Sequence, residues 1–378
     1  MSLQAGRRLT AALVVAATVL AACSGDDQPD SSGAGSEPAS GSDVVAGEAF
    51  PESRCEANRA AGTITYLSGF DFAAAAGIVE VLVADDRGYY EELCLDVEVT
   101  PSLSTDNDEL VAGGRAQMAS GGSFSEVVLA AQSADVPLRA ISVAGRGPID
   151  VLIAKPGPTE LADFEGTTIG VKAGRLPPSI AAMLATAGLA EGEDYETVPV
   201  DGFDPLVHIE IRRIDGFPGY RSNEVGQLER AGNEFETFDP IDADVPGSFG
   251  VIFTNDDFLN EHPTAAQDFM RATMKGLADA IDDPAAASAV SVDLINGGGN
   301  PYFLSPEGET FRWETEAGLA AEGDLAPGVI DPEALQAELD AYTKVGLFEE
   351  APESSDFTAD VLTDVYADDG TVIWPATN

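Results

Sequence analysis

The sequence is poor in the residues that nucleic-acid binding requires. Its 378 residues include 19 Lys and Arg against 66 Asp and Glu, which gives a formal net charge of −47 at pH 7. A nucleic-acid-binding protein neutralises phosphates with clustered basic side chains, so we expect no nucleic-acid partner. The same acidity argues against attachment to anionic lipids by charge. We interpret the excess of carboxylates as a feature that keeps the protein soluble.

Motifs that catalysis uses are also missing. The sequence has no Gly-x-x-x-x-Gly-Lys-Ser/Thr phosphate loop and no Gly-x-Ser-x-Gly nucleophile motif. Its 2 histidines, His208 and His262, are far apart, and no Cys and His residues have the spacing of a zinc site. We interpret His208 as a structural residue. The sequence therefore predicts a protein that is not an enzyme and that holds no cofactor and no metal.

The first 23 residues have the pattern of an export signal. Arg7 and Arg8 precede the apolar segment 9–20, which is shorter than the roughly 20 residues of a membrane-spanning helix. We predict a signal peptide over residues 1–22. The stretch Leu-Ala-Ala-Cys that ends at Cys23 resembles the bacterial lipobox, which implies a lipid on Cys23 and anchoring to the outer face of the cell membrane. An ordinary signal peptide with a chance cysteine is the alternative.

Residues 24 to about 50 are rich in Ser, Gly, Asp, Pro and Ala and contain almost no large apolar side chains. Such a segment cannot bury enough surface to offset the entropy lost on ordering. We therefore predict a lipid-anchored flexible tether over residues 23–61, followed by a globular body of two domains.

Two cysteines remain after Cys23 is assigned to lipid. Cys55 lies just before the first predicted strand and Cys94 just before the second. Neighbouring parallel strands bring their starts together, and an oxidising compartment allows the thiols to pair. We predict a disulfide between Cys55 and Cys94, with two independent thiols as the alternative.

The body alternates between strand and helix patterns. Strands are predicted over residues 63–67, 95–100, 117–120, 139–144, 150–154, 168–171 and 251–254, and helices over 73–86, 106–113, 124–133, 178–188 and 263–281. The segment 95–100 alternates strictly between apolar and polar residues, as a strand with one buried face does. Alternating strands and helices indicate an α/β protein with parallel sheets covered by helices.

Six short motifs, taken in order, resemble one group of periplasmic solute-binding proteins of ABC importers. The known ligands of this group include nitrate, taurine, alkanesulfonates, thiamine pyrimidine precursors and riboflavin. The motifs are Arg87-Gly88-Tyr89-Tyr90 with Leu93-Cys94-Leu95-Asp96-Val97, the segments 110–118, 135–138 and 161–171, the trio Tyr220, Asn223 and Glu224, and the segment 264–284. Val225 departs from the Pro that usually follows Asn-Glu, which weakens any transfer of ligand identity. Enzymes of the same fold, the yeast-type pyrimidine synthases, carry a cysteine-rich iron motif that this chain lacks.

The resemblance implies a two-lobed α/β fold of the type II periplasmic-binding-protein class, with two doubly wound sheets, a hinge and a helical C-terminal part. We expect lobe one to contain residues 62–153 and 250–378, and lobe two to contain residues 154–249. Ligand would bind between the lobes, outside the carboxyl ends of the strands. The implied partners are a small-molecule ligand and an ABC permease with its ATPase, and we expect a monomer.

Five loops that follow strands supply the candidate ligand contacts. In lobe one, Gly69 permits close approach, the rings of Phe70 and Phe72 could stack on a flat ligand, and the amides around the helix start at Ser123 could bind an acceptor. In lobe two, Lys172 and Arg175 could pair with an acidic group. The full set is Gly69, Phe70, Phe72, Gly121, Gly122, Ser123, Arg146, Lys172, Gly174, Arg175, Tyr220, Asn223 and Glu224.

The alternatives for these residues are structural. Phe70 and Phe72 could fill the core, Ser123 and Glu126 have the spacing of a capping box, and Arg146 could bridge carboxylates. Asn223 and Glu224 suit the polar edge of a heterocycle, whereas Arg146 and Lys172 suit an oxyanion. We favour a flat heteroaromatic ligand, a thiamine pyrimidine precursor or a riboflavin-like molecule, over a sulfonate, taurine or nitrate. A sensor lipoprotein without a transport role is the alternative of another class.

Overall fold

Two five-stranded sheets form the cores of two lobes. The computed structural model describes residues 43–103, 106–172, 174–202, 204–296 and 305–376. Lobe one has the strand order β2-β1-β3-β10-β4, and lobe two has the order β7-β6-β8-β5-β9. The strands are β1 Thr63–Leu67, β2 Asp96–Thr100, β3 Met118–Gly121, β4 Leu138–Gly145, β5 Asp150–Ala154, β6 Thr168–Val171, β7 Glu196–Pro199, β8 Gly216–Tyr220, β9 Glu236–Phe238 and β10 Phe249–Asn255.

Both sheets are mixed rather than wholly parallel. In lobe one, β1 runs parallel to β2 and β3, while β10 lies antiparallel between β3 and β4. In lobe two, β6 runs parallel to β7 and β8, while β5 lies antiparallel to β8 and β9. The antiparallel strand in each sheet is the one that directly follows a crossing between the lobes. The predicted α/β architecture with two sheets is confirmed, but the sequence pattern missed the direction of these two strands and missed the strands β7, β8 and β9.

The first crossing lies earlier in the chain than the sequence predicted. Residues 150–153 were expected to end lobe one, but the whole of β5 belongs to the sheet of lobe two. The chain therefore crosses over residues 146–149 and returns over residues 239–248. A strand pattern shows that a segment is extended and buried, but it does not identify the sheet that the segment joins.

Helices cover both faces of the sheets. They are α1 Glu52–Ala60, α2 Val79–Asp86, α3 Tyr89–Glu92, α4 Asn107–Ala112, α5 Phe124–Ala134, α6 Pro178–Thr186, α7 Pro205–His208, α8 Glu224–Ala231, α9 Asp256–Glu261, α10 Pro263–Asp282, α11 Pro284–Asn296, α12 Pro306–Ala320 and α13 Pro332–Lys344. Short 3-10 turns cover Leu161–Phe164, Pro240–Ala243 and Ser354–Asp356. Helix α10 buries Phe269, Met270, Met274 and Leu277 in the core of lobe one.

The second half of the predicted tether is part of the folded body. Residues 52–60 form α1, where Arg54 pairs with the fully buried Asp268 of α10 at 2.8 Å. Val44 is buried, and the Gly47 amide donates to the Trp374 carbonyl oxygen at 3.0 Å. These contacts are ion pairs and backbone hydrogen bonds. The apolar content of the segment, on which the tether prediction relied, therefore does not reveal them. The predicted signal peptide over residues 1–22 and the lipidated Cys23 lie outside the described residues.

A disulfide joins Cys55 of α1 to Cys94, the two residues that the sequence predicted to pair, with their Cα atoms 5.2 Å apart. It ties α1 to the start of β2, beside the parallel pair of β1 and β2. Among the described residues, no helix combines the length and apolar character that a membrane crossing requires.

Candidate functional site

The loop after β8 presents the most accessible ring among the predicted site residues. Tyr220 ends β8, and 44% of its surface is exposed. The Tyr220 amide donates to Oε2 of Glu224 at 2.8 Å, and Lys172 Nζ donates to the other oxygen of this carboxylate. Glu224 thus fixes the loop from within and pairs with the cation contributed by the end of β6.

Carboxylates from both lobes surround the Tyr220 phenol. Loss of water around the hydroxyl raises the pKa of Tyr220 well above its usual value, although 44% of the residue's surface is exposed. The negative charges of Asp150, Glu126, Glu224 and Glu316 raise the pKa further. Glu126 belongs to lobe one, whereas Asp150 and Glu224 belong to lobe two. The ring therefore lies in an electronegative cleft between the lobes.

Asp150, the first residue of β5, lines the same cleft. Ser179 Oγ donates to Asp150 Oδ2 at 2.8 Å. Burial raises the pKa of Asp150 to about 7, and the charges of Glu126 and Glu224 add to this effect, whereas the Ser179 hydrogen bond opposes it. Asp150 can accept a hydrogen bond when it is ionised and can donate one when it is protonated.

The amides at the start of α5 already have partners within the protein. The Phe124 amide donates to Ser248 Oγ at 2.8 Å, and the Ser125 amide donates to Oε1 of the buried Glu338 at 2.9 Å. Ser123 and Glu126 form the capping box that their spacing predicted. The expectation that these amides are free to bind a ligand is therefore wrong. The unpaired amides at a helix start need acceptors, and here side chains of the protein supply them.

The backbone amides in the turn that leads into α2 also have acceptors within the protein. The Ala74 amide donates to Glu309 Oε2 at 3.0 Å, the Ala76 amide to Glu316 Oε2 at 2.6 Å, and the Gly77 amide to Glu80 Oε1 at 2.8 Å. Three buried carboxylates thus occupy donors that could otherwise bind an external anion.

The loop after β1 packs inward. The Gly69 amide donates to Ser120 Oγ at 2.5 Å, and a Cβ at this position would lie 2.9 Å from the Ser120 carbonyl oxygen. Phe70 and Phe72 pack against a small apolar cluster around Ile78. These contacts favour the core interpretation of both rings over ligand stacking.

Glycines 121 and 122 connect β3 to α5. A Cβ on Gly121 would lie 2.9 Å from Val127 Cγ2, and a Cβ on Gly122 would lie 2.4 Å from Glu126 Oε2. Gly121 therefore suits close packing against Val127, whereas a side chain at position 122 would displace the Glu126 carboxylate from the capping box. Gly122 is exposed and Gly121 partly so, so their backbones can still border the cleft.

Arg146 has its hydrogen-bond partners in the segment between α12 and α13. Its guanidinium donates to the carbonyl oxygens of Glu322 and Ala326 at 2.9 Å each. The residue also lines a cavity of about 320 Å³ at the two crossings, together with Gly147, Pro148, Ile241, Phe249 and Leu319 among others. None of the carboxylates around Tyr220 lines this cavity. The contacts of Arg146 are those of a structural residue that holds the loop before α13.

The remaining predicted residues border the cleft from lobe two. Burial raises the pKa of Glu126, and the charge of the exposed Arg175 partly opposes this shift. Gly174 has a positive φ of 78°, which favours glycine in this turn. Asn223 Oδ1 accepts from Gln227 Nε2 at 2.8 Å. Asn223 therefore spends part of its acceptor capacity on α8, and its amide donors remain to be considered for a ligand.

Sequence reasoning missed Asp150, Glu126, Glu316 and Glu338 as site residues. Asp150 opens a strand, and Glu126 was noticed only as a capping partner. Glu316 and Glu338 lie on buried helix faces. The spacing of apolar residues marks such faces in the sequence, but it does not mark the carboxylates among them. Within the described part of the chain, no group of three or more His, Cys, Asp or Glu residues is arranged to hold a metal ion.

Comparisons with known proteins identify the family and the fold of the chain. The profile of a family described as NMT1/THI5 like matches residues 76–287. The riboflavin-binding protein RibY of Chloroflexus aurantiacus is 27% identical over 222 residues, which is 56% of this chain and 61% of RibY. The chain thus matches less than two thirds of that relative's length.

Solved structures share the fold at low identity. The periplasmic aliphatic sulphonate binding protein SsuA of Escherichia coli has a TM-score of 0.59 and 12% identity, over 79% of this chain and 92% of SsuA. A ligand-binding component of an ABC-type import system from Staphylococcus aureus has a TM-score of 0.57 and 15% identity, over 79% and 97%. The desulfurization enzyme DSZB also matches, with a TM-score of 0.54 and 15% identity over 80% and 98%. The predicted type II periplasmic-binding-protein fold is confirmed, and the fold alone does not separate binding from catalysis.

Proposed function

Because the chain belongs to the NMT1/THI5-like family, we propose that it is a solute-binding protein that captures a flat heteroaromatic molecule between its lobes. The ligand class is a thiamine pyrimidine precursor or a riboflavin-like ring. The protein passes this ligand to an ABC permease and its ATPase. RibY, a relative named for riboflavin binding, supports the proposal.

The observation that carries the proposal is the convergence of carboxylates on Tyr220. Glu224 accepts from the Tyr220 amide, Asp150 is the strand partner of Tyr220 across β5 and β8, and Glu316 of lobe one accepts from Ser222, two residues after Tyr220. Together with Glu126, these carboxylates raise the pKa of the phenol. The ring offers a face for stacking, and carboxylates accept hydrogen bonds from ring N–H and amino groups. A planar ligand with donors on its edge meets both requirements.

A small oxyanion is the second candidate, and it has support from fold neighbours such as SsuA and from Lys172 and Arg175. Two features oppose it. Lys172 is paired with Glu224, and carboxylates of the chain occupy the amides at Ser125, Ala74 and Ala76. An anion entering this cleft would meet like charge and few available backbone donors.

A thermal-shift panel tests the ligand class. Riboflavin and an aminopyrimidine alcohol are compared with taurine and nitrate, all at matched concentrations. A ligand present at 100 times its dissociation constant stabilises the folded state by about 2.7 kcal/mol. We expect stabilisation by at least one of the two heteroaromatics and none by the two oxyanions. Stabilisation by taurine or nitrate alone would contradict the proposal.

We also propose export and lipid anchoring. The basic, apolar and lipobox-like segments up to Cys23 support this assignment, and a lipid-held body would stay close to a membrane permease. Mass spectrometry of the mature N-terminus is the test. We expect Cys23 as the first residue, carrying a diacylglyceryl group. A mature chain that begins elsewhere, or an unmodified Cys23, would contradict the anchor.

A further inference from the structure

Helix α12 is anchored in lobe one. The fully buried Trp313 donates from Nε1 to the carbonyl oxygen of Ala280 in α10 at 2.7 Å. Ala317 and Ala320 lie on the same face and belong to the core cluster of lobe one. Movement of α12 relative to lobe one would expose this apolar face, so the helix moves with that lobe.

One side chain of α12 bridges the two lobes. Glu316 Oε2 accepts from the Ala76 amide of lobe one at 2.6 Å, and Oε1 accepts from Ser222 Oγ of lobe two at 2.7 Å. Glu316 is 6% exposed and Ser222 is 1% exposed, so water is largely excluded from the bridge. A hydrogen bond to a buried carboxylate is stronger than one between neutral groups.

A second contact joins α12 to lobe two. Gly226 of α8 lies against Phe311 of α12, and a Cβ at position 226 would lie 2.4 Å from the ring atom Cε1. Arg230 of α8 covers the same ring, with Cζ 5.5 Å from its centroid. Only glycine allows the two helices to approach this closely.

Ser222 lies within the loop that carries Tyr220 and Glu224. We propose that Glu316 is a positioning residue that clamps this ligand loop of lobe two onto lobe one and thereby holds the cleft closed. The clamp rests on the proposed function only in assigning Tyr220 to the ligand. Bound solute leaves when the Glu316–Ser222 hydrogen bond opens, and α12 thereby controls release.

The distance between the lobes tests the clamp without any ligand. Spin labels on Glu98→Cys and Glu196→Cys report this distance, since both residues are exposed on outer strands of different lobes. We expect Glu316→Ala and Ser222→Ala to shift the distribution to longer distances relative to the labelled wild type. Ser222→Ala keeps the Glu316–Ala76 contact, so it remains informative if Glu316→Ala folds poorly. Unchanged distributions in both variants would overturn the clamp.

Riboflavin is the probe for release. We expect its dissociation to become about tenfold faster in either single variant, the amount that one buried charged hydrogen bond accounts for. The double variant should equal the single variants, because both remove the same bond. Additive effects, or dissociation rates equal to that of the wild type, would count against the clamp.

Glu314→Gln is the matched control, since Glu314 is exposed on the same helix. It should leave both the interlobe distance and the riboflavin dissociation rate unchanged. A change in either quantity would mean that the loss of any negative charge on α12 has this effect. If wild-type protein binds neither riboflavin nor the aminopyrimidine but Glu316→Ala still opens, the ligand assignment fails and the clamp is supported.

Discussion

Replacing Tyr220 by Ala is expected to weaken binding of the heteroaromatic ligand at least tenfold while the protein stays folded. The ring is 44% exposed, so its removal costs little core packing, yet it takes away the stacking face of the cleft. A tenfold loss corresponds to about 1.4 kcal/mol, within the range of an aromatic contact and its buried area. Isothermal titration with riboflavin and with the aminopyrimidine measures the change.

Tyr220→Phe is the matched control for this experiment. It keeps the ring and removes only the hydroxyl, so we expect affinity within about threefold of wild type if stacking dominates. Thermal unfolding of both variants verifies that the body is intact. Full affinity in Tyr220→Ala would mean that the cleft is misassigned.

Raising the pH from about 5 to about 8 is expected to destabilise the wild type more than the Asp150→Asn variant. Burial raises the pKa of Asp150 to about 7, whereas the same carboxyl titrates near 4 in an unfolded chain. Between these values the folded protein binds more protons than the unfolded chain, so stability falls as the pH rises. About two pH units of this range lie below the folded pKa, which corresponds to about 3 kcal/mol in a fully buried group, and partial exposure reduces the expected difference to about 1 to 2 kcal/mol.

Urea unfolding at both pH values measures this difference. Glu80 is also buried, with a pKa raised to about 7. The free energy of unfolding therefore depends on pH in both the wild type and the variant, and the difference between the two isolates Asp150. Asp324→Asn removes an exposed carboxyl and should match the wild type. Equal pH slopes in the wild type and Asp150→Asn would contradict the burial of Asp150 in a shared acidic cleft.

The parts of the fold that the sequence predicted are those with regular patterns. The strict alternation of residues 95–100 gave β2, and the prediction of β6 over residues 168–171 matches the structure. Strand β8 was missed because its sequence, Gly-Phe-Pro-Gly-Tyr, has the composition of a turn. It is nevertheless buried between β6 and β5. A Cβ on Gly216 would lie 2.8 Å from the Ile153 carbonyl oxygen, so close strand packing, rather than propensity, selects glycine there.

The carboxylates of the C-terminal helices were hidden for a different reason. Glu316 lies three residues after Trp313 and four before Ala320, on the buried face of α12, and Glu338 lies between the buried Leu335 and Tyr342 of α13. An acidic residue on such a face suggests a buried polar contact. The partners, which are backbone amides some 200 residues earlier in the chain, depend on tertiary packing that local sequence does not encode.

The positive side chains show the limit of assigning roles by residue type. Arg146 and Lys172 were natural candidates for an anionic ligand, but the structure uses Arg146 to hold carbonyl oxygens and pairs Lys172 with Glu224. In a chain with 66 acidic and 19 basic residues, most cations have an internal partner within reach. Excess acidity therefore makes a solitary basic residue a weak indicator of an anion site.

A crystal structure of the protein with its best-binding heteroaromatic tests the central claim most directly. We expect the planar ring to lie over Tyr220 between the lobes, with ligand donor atoms about 3 Å from the carboxylate oxygens of Asp150 or Glu126. Ligand density in the cavity beside Arg146, with the Tyr220 cleft empty, would contradict the account.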